Sequence, residues 1–192
     1  MTDIQHDRAL YVIVCGAGPA PLVPRLIGQA QERGWHVQVI ATPAALGFID
    51  VHGLEAQTSH PVRSQYRDAN VTERSSLPTA SAIIVAPATY NTINKWAHGS
   101  SDTYALGILA ESIGLRIPVV VLPFVNSALA AHFAFRSSVQ ELREAGVRIL
   151  MGPGEWEPHP PGTGGERLAS FPWHRALDAA EEILRARPGA AG

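Results

Sequence analysis

Cysteine is almost absent from this chain: among 192 residues only Cys15 carries a thiol, which excludes an intrachain disulfide framework and any multi-cysteine metal site. That usage suits a reducing cytoplasm, the expected location. Cys15 itself falls on a strand expected to be buried, where a thiol behaves as an inert small hydrophobe. Charge is sparse as well. With 15 basic and 17 acidic side chains, a formal net charge of −2 and no basic run, nothing in the chain is suited to gripping a polyanion, so neither nucleic acid nor an anionic membrane is an expected partner. Long apolar runs are missing too. The longest, residues 117–125, has the length of a strand and contains two prolines, and no positively charged start leads into an apolar stretch, so neither a membrane span nor a secretion signal is expected. His98, His132, His159 and His174 are scattered without ligand spacing beside a carboxylate, so no metal site is expected. The length fits one domain over 1–192.

What is present alternates between two periodicities. Residues 9–15 are continuously apolar and β-branched, as in a central strand covered on both faces. A Gly16-Ala17-Gly18-Pro19 turn follows, then a helical pattern over 21–33 with Gly34 at its C-cap. A second strand is expected at 37–41. Thr42-Pro43 then reads as a hydroxyl cap with proline at the first position of a helix that carries Phe48 and Ile49 inward. Residues 52–78 are polar and read as a surface excursion with one short helix. Order returns with a strand at 82–86, helices through Ile93 and Trp96 and over 104–113, a strand at 118–122, a helix over 128–145 and a strand at 147–150. Residues 152–165, within a Gly/Pro-rich flap at about 152–170, lack the apolar content to pack a core. A last helix runs from Trp173 to about Arg187. Strand and helix alternating with short links give an α/β fold, a three-layer, doubly wound parallel sheet with right-handed crossovers.

Two segments carry candidate chemistry. Gly16, Ala17 and Gly18 let the backbone approach an oxyanion, and the following helix offers free N–H groups to a phosphate. The third glycine of the dinucleotide fingerprint is missing, and Thr42 stands where an acidic ribose ligand would be. That favours a mononucleotide, its phosphate shared with the Thr42 hydroxyl, over NAD; a plain tight turn is the alternative. The second segment, Pro87-Ala88-Thr89-Tyr90-Asn91-Thr92-Ile93-Asn94-Lys95, passes from buried strand through a polar turn into an amphipathic helix. Ligands in open α/β sheets bind at such carboxyl strand ends. Pro87, Ala88 and Thr89 keep the turn small enough for a planar ring, and Asn91 offers an amide to its polar edge. Capping by Asn91 or Thr92 is the simpler alternative.

The second segment, with Gly99 and Asp102 after it, resembles the Pro-Ala-Ser-Ala-Asn-Thr signature of the homo-oligomeric flavin-containing cysteine decarboxylases, a family that includes lantibiotic peptidyl-cysteine decarboxylases and phosphopantothenoylcysteine decarboxylases. The resemblance covers roughly residues 10–153: the glycine turn, Thr42-Pro43-Ala44-Ala45 with Phe48, the signature, then Pro123-Phe124-Val125-Asn126. It implies a flavodoxin-like or Rossmann-like fold and FMN bound without a covalent bond at subunit interfaces of a homotrimer or a dodecamer of trimers. It also implies oxidation of a small-molecule or peptidyl cysteine thiol by the flavin, followed by loss of carbon dioxide. Carried over, Gly16, Gly18 and Thr42 hold the phosphate, Phe48 packs near the flavin, and Ala88, Thr89, Asn91 and Thr92 meet ribityl chain and ring.

The chain departs from that pattern in two places. The family's catalytic histidine lies about a dozen residues before the signature proline, where this chain has residues 70–76 and no histidine. His60 is the nearest, and it substitutes only if the loop over 63–78 folds back; a solvated loop histidine is the alternative. The substrate clamp keeps only Pro123 and Asn126. Asn126 is placed to hydrogen-bond a substrate carboxylate or amide, or to cap the helix after it. Arg63, Tyr66 and Arg67 offer contacts to an anionic substrate, and the flap between Trp156 and Trp173 reads as a lid or a plain surface loop. The expected activity is that of an FMN-dependent oxidoreductase or oxidative decarboxylase. A flavin carrier or sensor module and a flavin prenyltransferase remain alternatives.

Overall fold

Strands with no polar residue facing out can only be covered on both faces, and β1 (Ala9–Val14), β3 (Ala82–Ala88) and β4 (Val119–Pro123) are buried at every position. The computed structural model describes residues 8–66 and 78–187. With β2 (His36–Ala41) and β5 (Arg148–Ile149), these strands form one sheet in the order β2-β1-β3-β4-β5, every pair parallel. This is the flavodoxin-like α/β order, with its topological switch between β1 and β3.

Period-2 alternation divides the core in two. Leu10, Val12, Val14, Ile84, Val120 and Leu122 face one cluster, which α1 (Pro24–Glu32) and α7 (Trp173–Ala186) cover through Leu26, Ile27, Ala176 and Leu177. Tyr11, Ile13, Ile83, Val85, Val119 and Val121 face the other, covered by α3 (Tyr90–Ala97), α4 (Tyr104–Gly114) and α6 (Phe133–Glu144) through Ile93, Trp96, Leu109, Phe135 and Leu142. Trp96 donates its indole N–H to Leu109 O at 3.0 Å, tying α3 to α4. No helix among the described residues is long and apolar enough to cross a membrane.

Three expectations need correction. No single helix starts at Thr42: residues Pro43–Gly47 form a 3-10 turn, Thr42 makes no side-chain cap, and α2 begins only at Val51, capped by Asp50, which accepts from Gly53 N at 3.1 Å. Ile49 packs on the core, but Phe48 points out, 45% exposed. The helix expected over 128–145 is two, α5 (Ser127–Ala131) and α6, because His132 leaves the helical region and its Nδ1 accepts from Ala134 N at 3.2 Å, starting a new helix. The Gly/Pro-rich segment also packs. Trp156 and His159 are buried, Trp156 meets Phe171 edge-on and lies under the Arg167 guanidinium, and Glu155 pairs with Arg148 at 2.6 Å and Arg175 at 2.8 Å. One ion-paired carboxylate and two aromatics supply the anchoring that composition alone does not reveal.

Candidate functional site

The carboxyl ends of four strands are tied together at the switch. Cys15 N donates to Pro87 O at 3.1 Å, Thr42 N to Val14 O at 2.9 Å, and Phe124 N to Ala88 O at 2.9 Å. The register of β3 against β4 shifts between Val85 and Ala88, which brings Pro123 opposite Ala88. Above this floor lies a cleft of about 600 Å³, within the range of small-molecule sites.

Of the residues singled out in the sequence, Gly16, Ala17, Gly18, Thr42, Thr89, Asn91, Thr92 and Asn126 line it together. Pro87 and Ala88 are buried beneath, their carbonyls taken by the floor. Phe48 and His60 are exposed and do not line the cleft. Arg67 and residues 70–76 lie outside the described residues. Tyr90, Lys95 and Phe124, which belong to the two motifs without a role of their own there, also line the cleft, as does His159, whose spacing announces nothing.

The glycine turn is packed to its limit. A methyl group on Gly16 would stand 2.9 Å from Ala44 O, and one on Gly18 would stand 2.9 Å from Leu168 Cδ2 and 3.3 Å from Phe124 Cε1. Only glycine allows the 16–18 and 42–44 turns to approach this closely. Facing them is the start of α3. Its N-cap is Thr89, whose Oγ1 accepts from Thr92 N at 3.3 Å and lies 2.9 Å from Thr92 Oγ1. Asn91, also a candidate cap, is exposed and free of that duty. The first amides of a helix have no partner within it, and among the described residues no carboxylate lines the cleft. Lys95, the chain's one lysine, also lines it, its charge offset by the pairing with Asp102. The field therefore favours an anionic ligand.

Cys15 lies beneath, fully buried. Burial pushes its thiol up, while the Thr92 and Thr89 hydroxyls pull the other way. Asn126 caps α5, its Oδ1 accepting from Leu129 N at 2.9 Å, which leaves its NH₂ group available. His159 is held beside it by a parallel bridge, with Ser127 N donating to His159 O at 2.7 Å.

The family model described as Flavoprotein matches residues 2–164. A probable phosphopantothenoylcysteine decarboxylase of Streptococcus mutans is 27% identical over 147 residues, covering 74% of this chain and 82% of that protein. The coenzyme A biosynthesis bifunctional protein CoaBC of Vibrio cholerae is 31% identical over 143 residues, or 72% of this chain and 34% of that protein. The chain thus spans about a third of the bifunctional relatives. Among solved structures, the FMN-dependent cysteine decarboxylase SpaF superposes with a TM-score of 0.66 at 23% identity, covering 91% of this chain and 98% of the other. The FMN-binding protein AtHal3 superposes with a TM-score of 0.71 at 15% identity, covering 95% and 100%. At those identities the superpositions establish the fold.

Proposed function

Because this chain belongs to the Flavoprotein family, we propose that its cleft holds FMN and serves an FMN-dependent decarboxylase acting on a small or peptidyl substrate that carries both a thiol and a carboxylate. The observation that carries this reading is the convergence of the glycine turn, Thr42 and the start of α3 on one cleft at the sheet's switch point, with no carboxylate among the described residues that line it. The cradle fits a phosphate-bearing ligand: backbone where a Cβ would clash, an uncapped Thr42 hydroxyl and helix-start amides.

In this assignment the amides of Gly16 and Gly18 and the Thr42 hydroxyl hold the phosphate, while Ala17 lines the turn with its own N–H donated to Cys15 O at 2.9 Å. Thr89, Asn91 and Thr92 meet the ribityl chain and the ring edge, and Pro87 and Ala88 form the floor. Bound flavin would supply a two-electron acceptor for the carbon that bears the thiol, making loss of carbon dioxide from the oxidised substrate easy. The Asn126 amide orients the substrate, and Phe124 keeps water from one wall. His60 and Phe48, exposed in the single chain, take part only through a neighbouring subunit. Leu129, which lines the cleft at 39% exposure, and Phe133, 74% exposed at the start of α6, support assembly as a homotrimer or a dodecamer of trimers around it. One observation favours a flavin-binding module without turnover: residues 70–76 contain no histidine.

Anaerobic mixing of FMN-loaded protein with peptides ending in cysteine and with acyl-linked cysteines separates the two. Bleaching of the flavin with release of carbon dioxide by one of them is the expected result. A flavin that stays oxidised with every thiol carboxylate would leave the binding module as the reading.

A further inference from the structure

His159 is fastened on every side but one. Its backbone is bridged to Asn126, and its ring tilts at 33° to Phe124 with centroids 4.6 Å apart. Gly164 lies against its edge, so that a methyl there would stand 2.9 Å from Nε2. The residue is 7% exposed and lines the cleft, yet Nδ1 is enclosed and has no hydrogen-bond partner among the described residues. Buried polar groups are nearly always satisfied, and a buried N–H without an acceptor is rarer than an acceptor without a donor. The orphaned Nδ1 therefore carries the lone pair, which puts the ring proton on Nε2. Beside it, the Asn126 NH₂ is also free to donate, since Oδ1 is spent on Leu129 N. Among the described residues, no carboxylate lines the cleft to receive either donor.

We propose that His159 is a ligand-contacting residue whose Nε2–H works beside the Asn126 amide as a neutral donor to an anionic oxygen or sulfur of the substrate. The inference rests on the functional reading above for its substrate class, thiol and carboxylate on one molecule. A donor at this point holds the substrate's charge against the wall formed with Phe124, with no buried cation to desolvate.

FMN-loaded protein is titrated with N-acetylcysteine, N-acetylcysteinamide and N-acetylalanine while flavin absorbance and the His159 ¹⁵N resonances are followed. The proton is expected on Nε2 in the free protein, and that resonance is expected to move with at least one probe. His159→Phe should keep FMN and lose about tenfold in affinity for the same probe, as for one hydrogen bond to a charged group. His159→Gln should recover part of it. Gly164→Ala, which keeps the imidazole but displaces it, should lose a similar amount. Loss confined to N-acetylalanine and N-acetylcysteine names a carboxylate acceptor; loss confined to the two thiols names sulfur. A proton found on Nδ1, no probe moving Nε2, or unchanged affinity in His159→Phe would each overturn the proposal while leaving the flavin site standing. Protein that takes up no FMN would remove both.

Discussion

Replacing Gly16 by alanine tests whether the glycine turn is a cradle or an ordinary bend. The added Cβ would stand 2.9 Å from Ala44 O, 3.0 Å from Ala44 C and 3.1 Å from Ala44 Cβ. None of these atoms is the tip of a flexible side chain, so the backbone of the 42–44 turn must move by several tenths of an ångström. Overpacking of this kind costs about 1–3 kcal/mol. At roughly 2–4 °C per kcal/mol for a chain of this size, the melting temperature should fall by about 2–12 °C. Since Ala44 and Thr42 line the cleft with Gly16, FMN affinity should fall as well, by about tenfold if one hydrogen bond to the phosphate is lost. Gly47→Ala is the control. It lies a few residues on, a Cβ there meets nothing within 4 Å, and its effect should stay within about 0.5 kcal/mol with FMN binding intact. Thermal denaturation followed by circular dichroism and quenching of FMN fluorescence read the two effects separately. A Gly16→Ala protein that melts with the wild type and binds FMN equally well would refute the reasoning.

Alkylating reagents should leave Cys15 unmodified in the native protein and modify it in denaturant, because the thiol is buried and burial pushes it up; rapid native labelling would contradict its place beneath the cleft. Burial, with Arg167 adding to it, holds the His159 imidazole below its ordinary value. The folded chain therefore favours the neutral ring, so this contribution is intact above about pH 6.5 and is lost as pH falls from there through the folded value. Urea denaturation across that range should show a steeper loss for the wild type than for His159→Gln; parallel profiles would count against it. Glu155→Ala should destabilise the chain by about 1 kcal/mol, since its carboxylate serves both Arg148 and Arg175 from a site only 18% exposed. That loss, read by the same denaturation, should shrink at about 1 M salt, and no salt dependence would contradict it.

The sheet was legible because burial on both faces leaves an unmistakable mark: a strand such as 9–14 can be apolar at every position only in the middle of a parallel sheet. Much of the candidate site was legible for a related reason. A switch point needs a small turn after β1 and a polar one after β3, and Gly16, Gly18, Thr89, Asn91 and Thr92 stand out against their apolar neighbours. What failed to show depended on contacts between distant segments. The break at His132 hides in an alanine-rich run because a histidine cap carries no sequence signature of the Ser, Thr, Asp or Asn kind. Phe48 faces out because the preceding turn is 3-10 and resets the helical phase. His159 reads in the sequence as one histidine among several. Its position depends on a single bridge to Asn126 and on Phe124, neither of which repeats with any period. Pro158 and Pro160 around it hint at a fixed loop but not at where that loop docks.

The account stands or falls on an FMN site anchored through phosphate at the glycine turn. Titrating ligand-free protein with FMN and, in parallel, with riboflavin tests it directly. The prediction is one FMN per chain, bound at least about tenfold more tightly than riboflavin because the glycine-turn amides and Thr42 receive the phosphate. Equal affinity for the two, or no uptake of either, would contradict it.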